Sequence, residues 1–173
     1  MRKPVAVLLG SLAVVLCFGA VASAGIITPS KVSASVSPHH VTKAPYTFTT
    51  HGTITFSPLY CPPGTTNVAY CTTITKAEAC SGKVSLKVKL GPDPILADAD
   101  TTIKSTTGKV SSNCTYSIKT KFSTKDFTAT KIYSAHEKGV YVKVKFSVKF
   151  LGNTVLNPKS ANTQTVIAKL TKP

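Results

Sequence analysis

Residues 140–152, VYVKVKFSVKFLG, alternate without a break. Val142, Val144, Phe146, Val148 and Phe150 fall on one parity, and Tyr141, Lys143, Lys145, Ser147 and Lys149 on the other. Successive side chains of a strand point to opposite faces, whereas a helix would scatter both sets around its axis. The stretch therefore reads as a long strand with one apolar and one lysine face. Such a strand needs a second apolar layer against it, and the rest of the chain supplies candidates.

Residues 26–37, rich in Ser, Thr and Val and punctuated by Pro29 and Pro38, read as an extended opening strand. Tyr46, Phe48, Ile54 and Phe56 then alternate with Thr47, Thr49, Thr53 and Thr55, with Gly52 expected to allow a bulge or bend. Residues 57–79, holding Pro58, Pro62, Pro63 and Gly64, are irregular, and a connection of that length is expected to be functional or stapled. Alternation returns with Val84, Leu86, Val88 and Leu90 inward and Ser85, Lys87 and Lys89 outward, ending in a turn at 91–94. Residues 95–107 are expected to run back as a weaker strand and 108–113 to turn. In the next strand Tyr116, Ile118 and Phe122 face in while Lys119 and Lys121 face out. Residues 127–133 form a further weak strand, 135–139 a turn, and 163–170 the last strand, with Val166, Ala168 and Leu170 against Thr165, Ile167 and Lys169. About seven short strands and no helical period are the signature of an all-β antiparallel sandwich.

Before this pattern, residues 1–24 have the form of a secretory signal peptide: Arg2 and Lys3, an apolar run, then Ala22-Ser23-Ala24, with cleavage expected before Gly25. An acylated Cys17 would want a small residue before it, and Leu16 is not small. The apolar run is short for a spanning anchor. Cleavage would leave 149 residues (173 less 24), enough for one core, so residues 25–173 are expected to form one domain, secreted and monomeric. Of the 21 basic residues, loss of Arg2 and Lys3 leaves 19, all lysine, against 6 acidic ones, a formal +13. A mature chain without arginine lacks the planar fork that reads phosphate and guanine bidentately, which argues against specific nucleic-acid recognition but not against attraction to polyanions.

Four cysteines remain, Cys61, Cys71, Cys80 and Cys114, and an even number in an exported chain implies disulfides. Of three connectivities the favoured one is Cys61–Cys71, closing the tight loop CPPGTTNVAYC, with Cys80–Cys114 tying together the starts of two strands at one end. A zinc site would want C-x2-C spacing or nearby histidines, and neither is present.

The segment FLGNTVLNPKSANTQTVIA resembles the closing hairpin of bacterial immunoglobulin-like repeat domains: an aromatic strand, a Gly-Asn turn, a Ser and a Thr/Val-rich last strand. Thr28-Pro29 through Pro58 is similar to their opening strands, and Ser81-Gly82-Lys83-Val84 to their Ser-Gly-x-Val strand. The resemblance implies an extracellular stalk, adhesion or binding module without catalytic residues. One copy rather than an array, added cysteines and the absence of a wall-sorting signal depart from the usual setting, and no Trp is present to pack beside a disulfide.

The outward lysines are the main candidate for chemistry. If the strands of Lys87 and Lys89, of Lys143, Lys145 and Lys149, and of Lys169 share a sheet, as the resemblance implies, one face becomes a cationic plate for an anionic wall polymer, a polysaccharide or another extracellular protein. The plainer reading is that lysine solubilises a strand face and discourages edge pairing. His39-His40 point to opposite sides of an extended chain and are not expected to hold a metal. Asp98 and Asp100, with Asp93, could offer same-side carboxylates to calcium, but the ion needs six or more oxygens and a solvated loop is the expected reading; His136-Glu137 are expected to face water. No G-x-S-x-G, H-E-x-x-H, phosphate loop or dinucleotide turn is present, so neither catalysis nor a cofactor is expected. The alternative function is a small secreted enzyme or inhibitor acting through the 61–71 loop. Asn113-Cys114-Thr115 also matches a glycosylation sequon.

Overall fold

The computed structural model describes residues 27–90, 101–123, 125–126 and 141–169. The expected signal peptide, the turns at 91–94 and 135–139, the strand at 127–133, the aspartates 93, 98 and 100, and His136-Glu137 lie outside them. In chain order the elements are β1 (Lys31–Val32), β2 (Ser35–Ser37), β3 (His40–Val41), β4 (Tyr46–Thr55), β5 (Leu59–Tyr60), a 3-10 turn (Val68–Tyr70), β6 (Thr72–Thr73) and α1 (Lys76–Ala79). There follow β7 (Lys83–Leu90), β8 (Thr101–Lys109), β9 (Thr115–Phe122), β10 (Tyr141–Phe150), β11 (Lys159–Ser160) and β12 (Gln164–Lys169). The protein is all-β, and among the described residues helix is confined to single turns.

Two sheets face each other in a sandwich-like arrangement. In the first, β4 is central, flanked by β1 and β2 on one side and β9 on the other, all antiparallel. β1 and β2 share one register against β4 (Val32 opposite Ile54, Val36 opposite Thr50), and the Ser33 amide bonds Thr53 O between them, so they act as a single interrupted opening strand. The second sheet runs β3-β12-β10-β7-β8, with β11 beside the end of β10. It is antiparallel except where β3 lies parallel to β12, the chain having crossed from one sheet to the other after Ser37.

The alternation of the sequence becomes the core. Val84, Leu86, Val88 and Leu90 of β7, Val142, Val144, Phe146, Val148 and Phe150 of β10, and Val166 and Ala168 of β12 are buried against Tyr46, Phe48, Ile54, Tyr116, Ile118 and Phe122. Phe48 joins the layers, its ring stacked on Phe122 at 5.6 Å and edge-on to Phe146 at 5.3 Å. Aromatic pairs of this kind contribute about 0.5–1.5 kcal/mol each beyond their buried area. Tyr46 adds a polar tie, its hydroxyl donating to Lys169 O at 2.7 Å.

Two glycines have roles other than those the sequence led one to expect. Gly52 makes no bulge: β4 and β9 keep one register from Tyr46–Phe122 to Thr53–Thr115. A Cβ at Gly52 would collide with Ser33 O and the Tyr116 hydroxyl. The Tyr116 side chain reaches past Gly52 to donate to Ser33 O, and burial pushes its phenol up to about 12. Gly108 does not open a turn either; it lies within β8 opposite Val84, where a Cβ would meet Ile118 Cγ1 at 2.5 Å. The turn begins after it, at residues 110–114.

The irregular segment between β4 and β7 is held by several short-range devices. β5 and β6 form a small hairpin, Cys61 and Cys71 are joined across it with Cα atoms 4.2 Å apart, and buried Ile74 anchors it, its amide bonding Pro58 O at 2.7 Å. Thr75 and Glu78 form a capping box around α1, and the hydrogen bonds from the Thr75 side chain and amide hold the Glu78 carboxyl below its usual value. Cys80, leading into β7, is joined to Cys114, leading into β9, with Cα atoms 4.3 Å apart. At the same end Asn153 donates from Nδ2 to Ala79 O at 3.0 Å and to Ser81 Oγ at 3.1 Å. Its Oδ1 accepts from the amides of Val155 and Leu156, which fastens the turn after β10 to α1.

Candidate functional site

Strand register decides where the lysines go. β7, β10 and β12 are neighbours, and the core takes their even-numbered residues. Lys87 and Lys89, Lys143, Lys145 and Lys149, and Lys169 therefore share the outer face of the second sheet. Lys83 and Lys109 join them at the start of β7 and the end of β8. Lys89 stands directly opposite Lys145 and Lys83 directly opposite Lys109. Like charges so placed are destabilising. The described strands of this sheet contain no Asp or Glu.

Lys119 and Lys121, outward as expected, belong to β9 and so to the opposite side of the molecule. Two further lysines have structural partners: Lys159 Nζ donates to Pro29 O at 2.7 Å and Ser30 O at 2.9 Å, and Lys104 Nζ donates to Lys121 O at 2.9 Å. Lys83 falls on the outward parity of β7, a signal already present in the sequence. Lys109 was hidden by reading Gly108 as a turn.

The face is not flat. Between β11 and β12 the partner of β10 gains a residue: Lys149 pairs with Ser160 but Phe146 with Gln164, three steps on one strand and four on the other. Beside this bulge, where the Ala161 amide still bonds Val148 O, lies a groove of 530 Å³ lined by Ser85, Lys87, Ser147, Lys149, Leu151 and Thr163 among others. Ser147 Oγ and Thr163 Oγ1 lie 3.3 Å apart across it, and Leu151, 42% exposed, forms an apolar wall.

The other candidates fare differently. Among the described residues no three His, Cys, Asp or Glu side chains converge on a possible metal position, His39 and His40 included. The 61–71 loop presents Val68 (67% exposed) and Tyr70 (73% exposed) to solvent. No helix among the described residues is long and apolar enough to cross a membrane. Comparison of the chain with models of protein families, with characterised proteins and with solved structures found no match.

Proposed function

We propose that this chain is a secreted, non-enzymatic immunoglobulin-like module that binds anionic polymers at or near a cell envelope through the lysine face of its larger sheet. The observation that carries the reading is the pairing of lysine opposite lysine, at Lys89–Lys145 and Lys83–Lys109, on strands without a carboxylate. Such a face holds a positive potential that a polyanion can relieve. The immunoglobulin-like part rests on strand order. With β1 and β2 counted as one, seven longer strands among the described residues stand first-second-fifth in one sheet and seventh-sixth-third-fourth in the other. That is the order of such sandwiches with the fourth strand moved to the edge beside the third. The Cys80–Cys114 bridge is not the inter-sheet bridge of antibody domains, since it links the chain just before two strands.

The test is retention of the purified protein on an immobilised anionic polymer across a salt series. Retention is expected at low ionic strength and is expected to decline as the Debye length shortens from about 30 Å at 0.01 M to about 8 Å at 0.15 M salt. Passage through the column at every salt concentration overturns the reading. A second reading, an inhibitor or small enzyme acting through the 61–71 loop, draws on the exposure of Val68 and Tyr70. Alanine at both positions would abolish that activity while leaving polymer retention intact.

A further inference from the structure

We infer that the groove beside the β11–β12 bulge is a subsite for one acidic sugar unit, a hexuronate or its sulfated equivalent, within a polysaccharide. The inference deepens the polyanion reading of the same face and rests on it. Uniform charge would make every lysine of the face equivalent. The groove makes two of them different. Lys87 lies opposite Ser147 and Lys149 opposite Ser85, so two exposed ammonium groups on adjacent strands stand diagonally about a pair of serines. A carboxylate or sulfate seated there takes a charge-assisted hydrogen bond from each side.

The remaining walls match the rest of a pyranose. Ser147, Ser160 and Thr163 offer hydroxyls that both donate and accept, as sugar hydroxyls do. Leu151 and Ala161, with the aliphatic stems of the two lysines, give the C–H face of a ring an apolar surface. At 530 Å³ the groove falls within the range of about 300–1,000 Å³ usual for small-molecule sites. A nucleic acid is a poorer match: the groove has no aromatic side chain for base stacking, and the only arginine in the sequence is Arg2.

The test measures binding of oligogalacturonate at low salt, with polyphosphate, polyglutamate and single-stranded DNA of matched charge as competitors. Lys87→Gln and Lys149→Gln are each expected to weaken oligogalacturonate binding about tenfold, the loss of one charge-assisted bond. Lys143→Gln, on the same face but outside the groove, is expected to weaken it about twofold, and Lys119→Gln on the other sheet not at all. Ser160→Val with Thr163→Val keeps every charge and is expected to weaken oligogalacturonate but not polyphosphate. Equal losses for Lys87, Lys143 and Lys149 overturn the subsite while leaving the polyanion face standing. So do an unaffected hydroxyl variant and competitors that bind as tightly as the sugar. If the protein binds none of these polymers, the subsite and the polyanion reading fall together.

Discussion

The outer faces of the two sheets meet the same requirement with different chemistry. Both need polar side chains on alternate positions, and the smaller sheet supplies Thr47, Thr49, His51, Thr53 and Thr55 on β4 and Thr115, Ser117, Lys119 and Lys121 on β9. The larger sheet puts eight lysines in comparable places, two pairs of them directly opposed. Threonine is the better strand former, and directly opposed like charges cost stability. Alternation alone therefore does not require the lysines, because the other half of the molecule fills six of these nine positions with hydroxyls.

Inside, by contrast, the sheets are expected to behave alike, and the largest effects test that. Phe48→Ala from the smaller sheet and Phe146→Ala from the larger one each remove a fully buried ring that meets the other, and each is expected to cost about 3–5 kcal/mol in chemical denaturation. A large inequality would mean that one layer folds without the other. The disulfides come next. In the chain-entropy account, replacing Cys80 and Cys114 by alanine costs about 4 kcal/mol for a separation of 34, and replacing Cys61 and Cys71 about 3 for a separation of 10. Thermal unfolding should rank them in that order, and the reverse order would make the exposed loop, not the strand ends, the critical staple.

The outer-face comparison is broken directly by making the larger sheet resemble the smaller. Lys87→Thr, Lys143→Thr and Lys149→Thr together are expected to leave the far-ultraviolet dichroism unchanged. They should flatten the dependence of log affinity on log salt by about two to three, at roughly 0.7–0.9 per cation. The Lys119→Thr, Lys121→Thr pair should leave it nearly unchanged. Equal effects from the two sets would return the lysines to a diffuse charge and remove the reason for distinguishing the faces.

Which parts of this were legible in the sequence follows from the range of the forces involved. Period-two alternation is local, so the strands at 46–55, 83–90, 115–122, 141–150 and 164–169 and their inward residues could be read from the chain, as could the outward direction of each lysine. Glycine was misread at Gly52 and Gly108 because the cause is distant: Tyr116 with Ser33, and Ile118, approach from other strands. The Thr75–Glu78 capping box did have a local signal, T-x-x-E, but it lay in a stretch dominated by prolines and cysteines. The groove had none, since it arises from a one-residue mismatch between β10 and its partner, which alternation within one strand does not encode.

The smallest effects concern polar groups on the inner face of the smaller sheet, a third way in which the sheets differ. Tyr116, with its partner Ser33 O, is buried neutral and its phenol is pushed up to about 12 from 10.0. The unfolded phenol ionises first as pH rises, so the contribution of Tyr116 is complete below pH 10 and is lost between there and about 12. Absorbance titration near 295 nm of the protein and of Tyr116→Phe should differ by one ionisation near pH 12. Thr50 and Thr120 are the converse case. Both are buried on adjacent strands, and neither hydroxyl has a hydrogen-bond partner. Valine has nearly the same shape and no group to desolvate, so Thr50→Val and Thr120→Val should each stabilise the fold by about 1 kcal/mol. Destabilisation by either would mean that the hydroxyl is satisfied in solution, and the contrast with the apolar inward residues of β7 and β10 would then disappear.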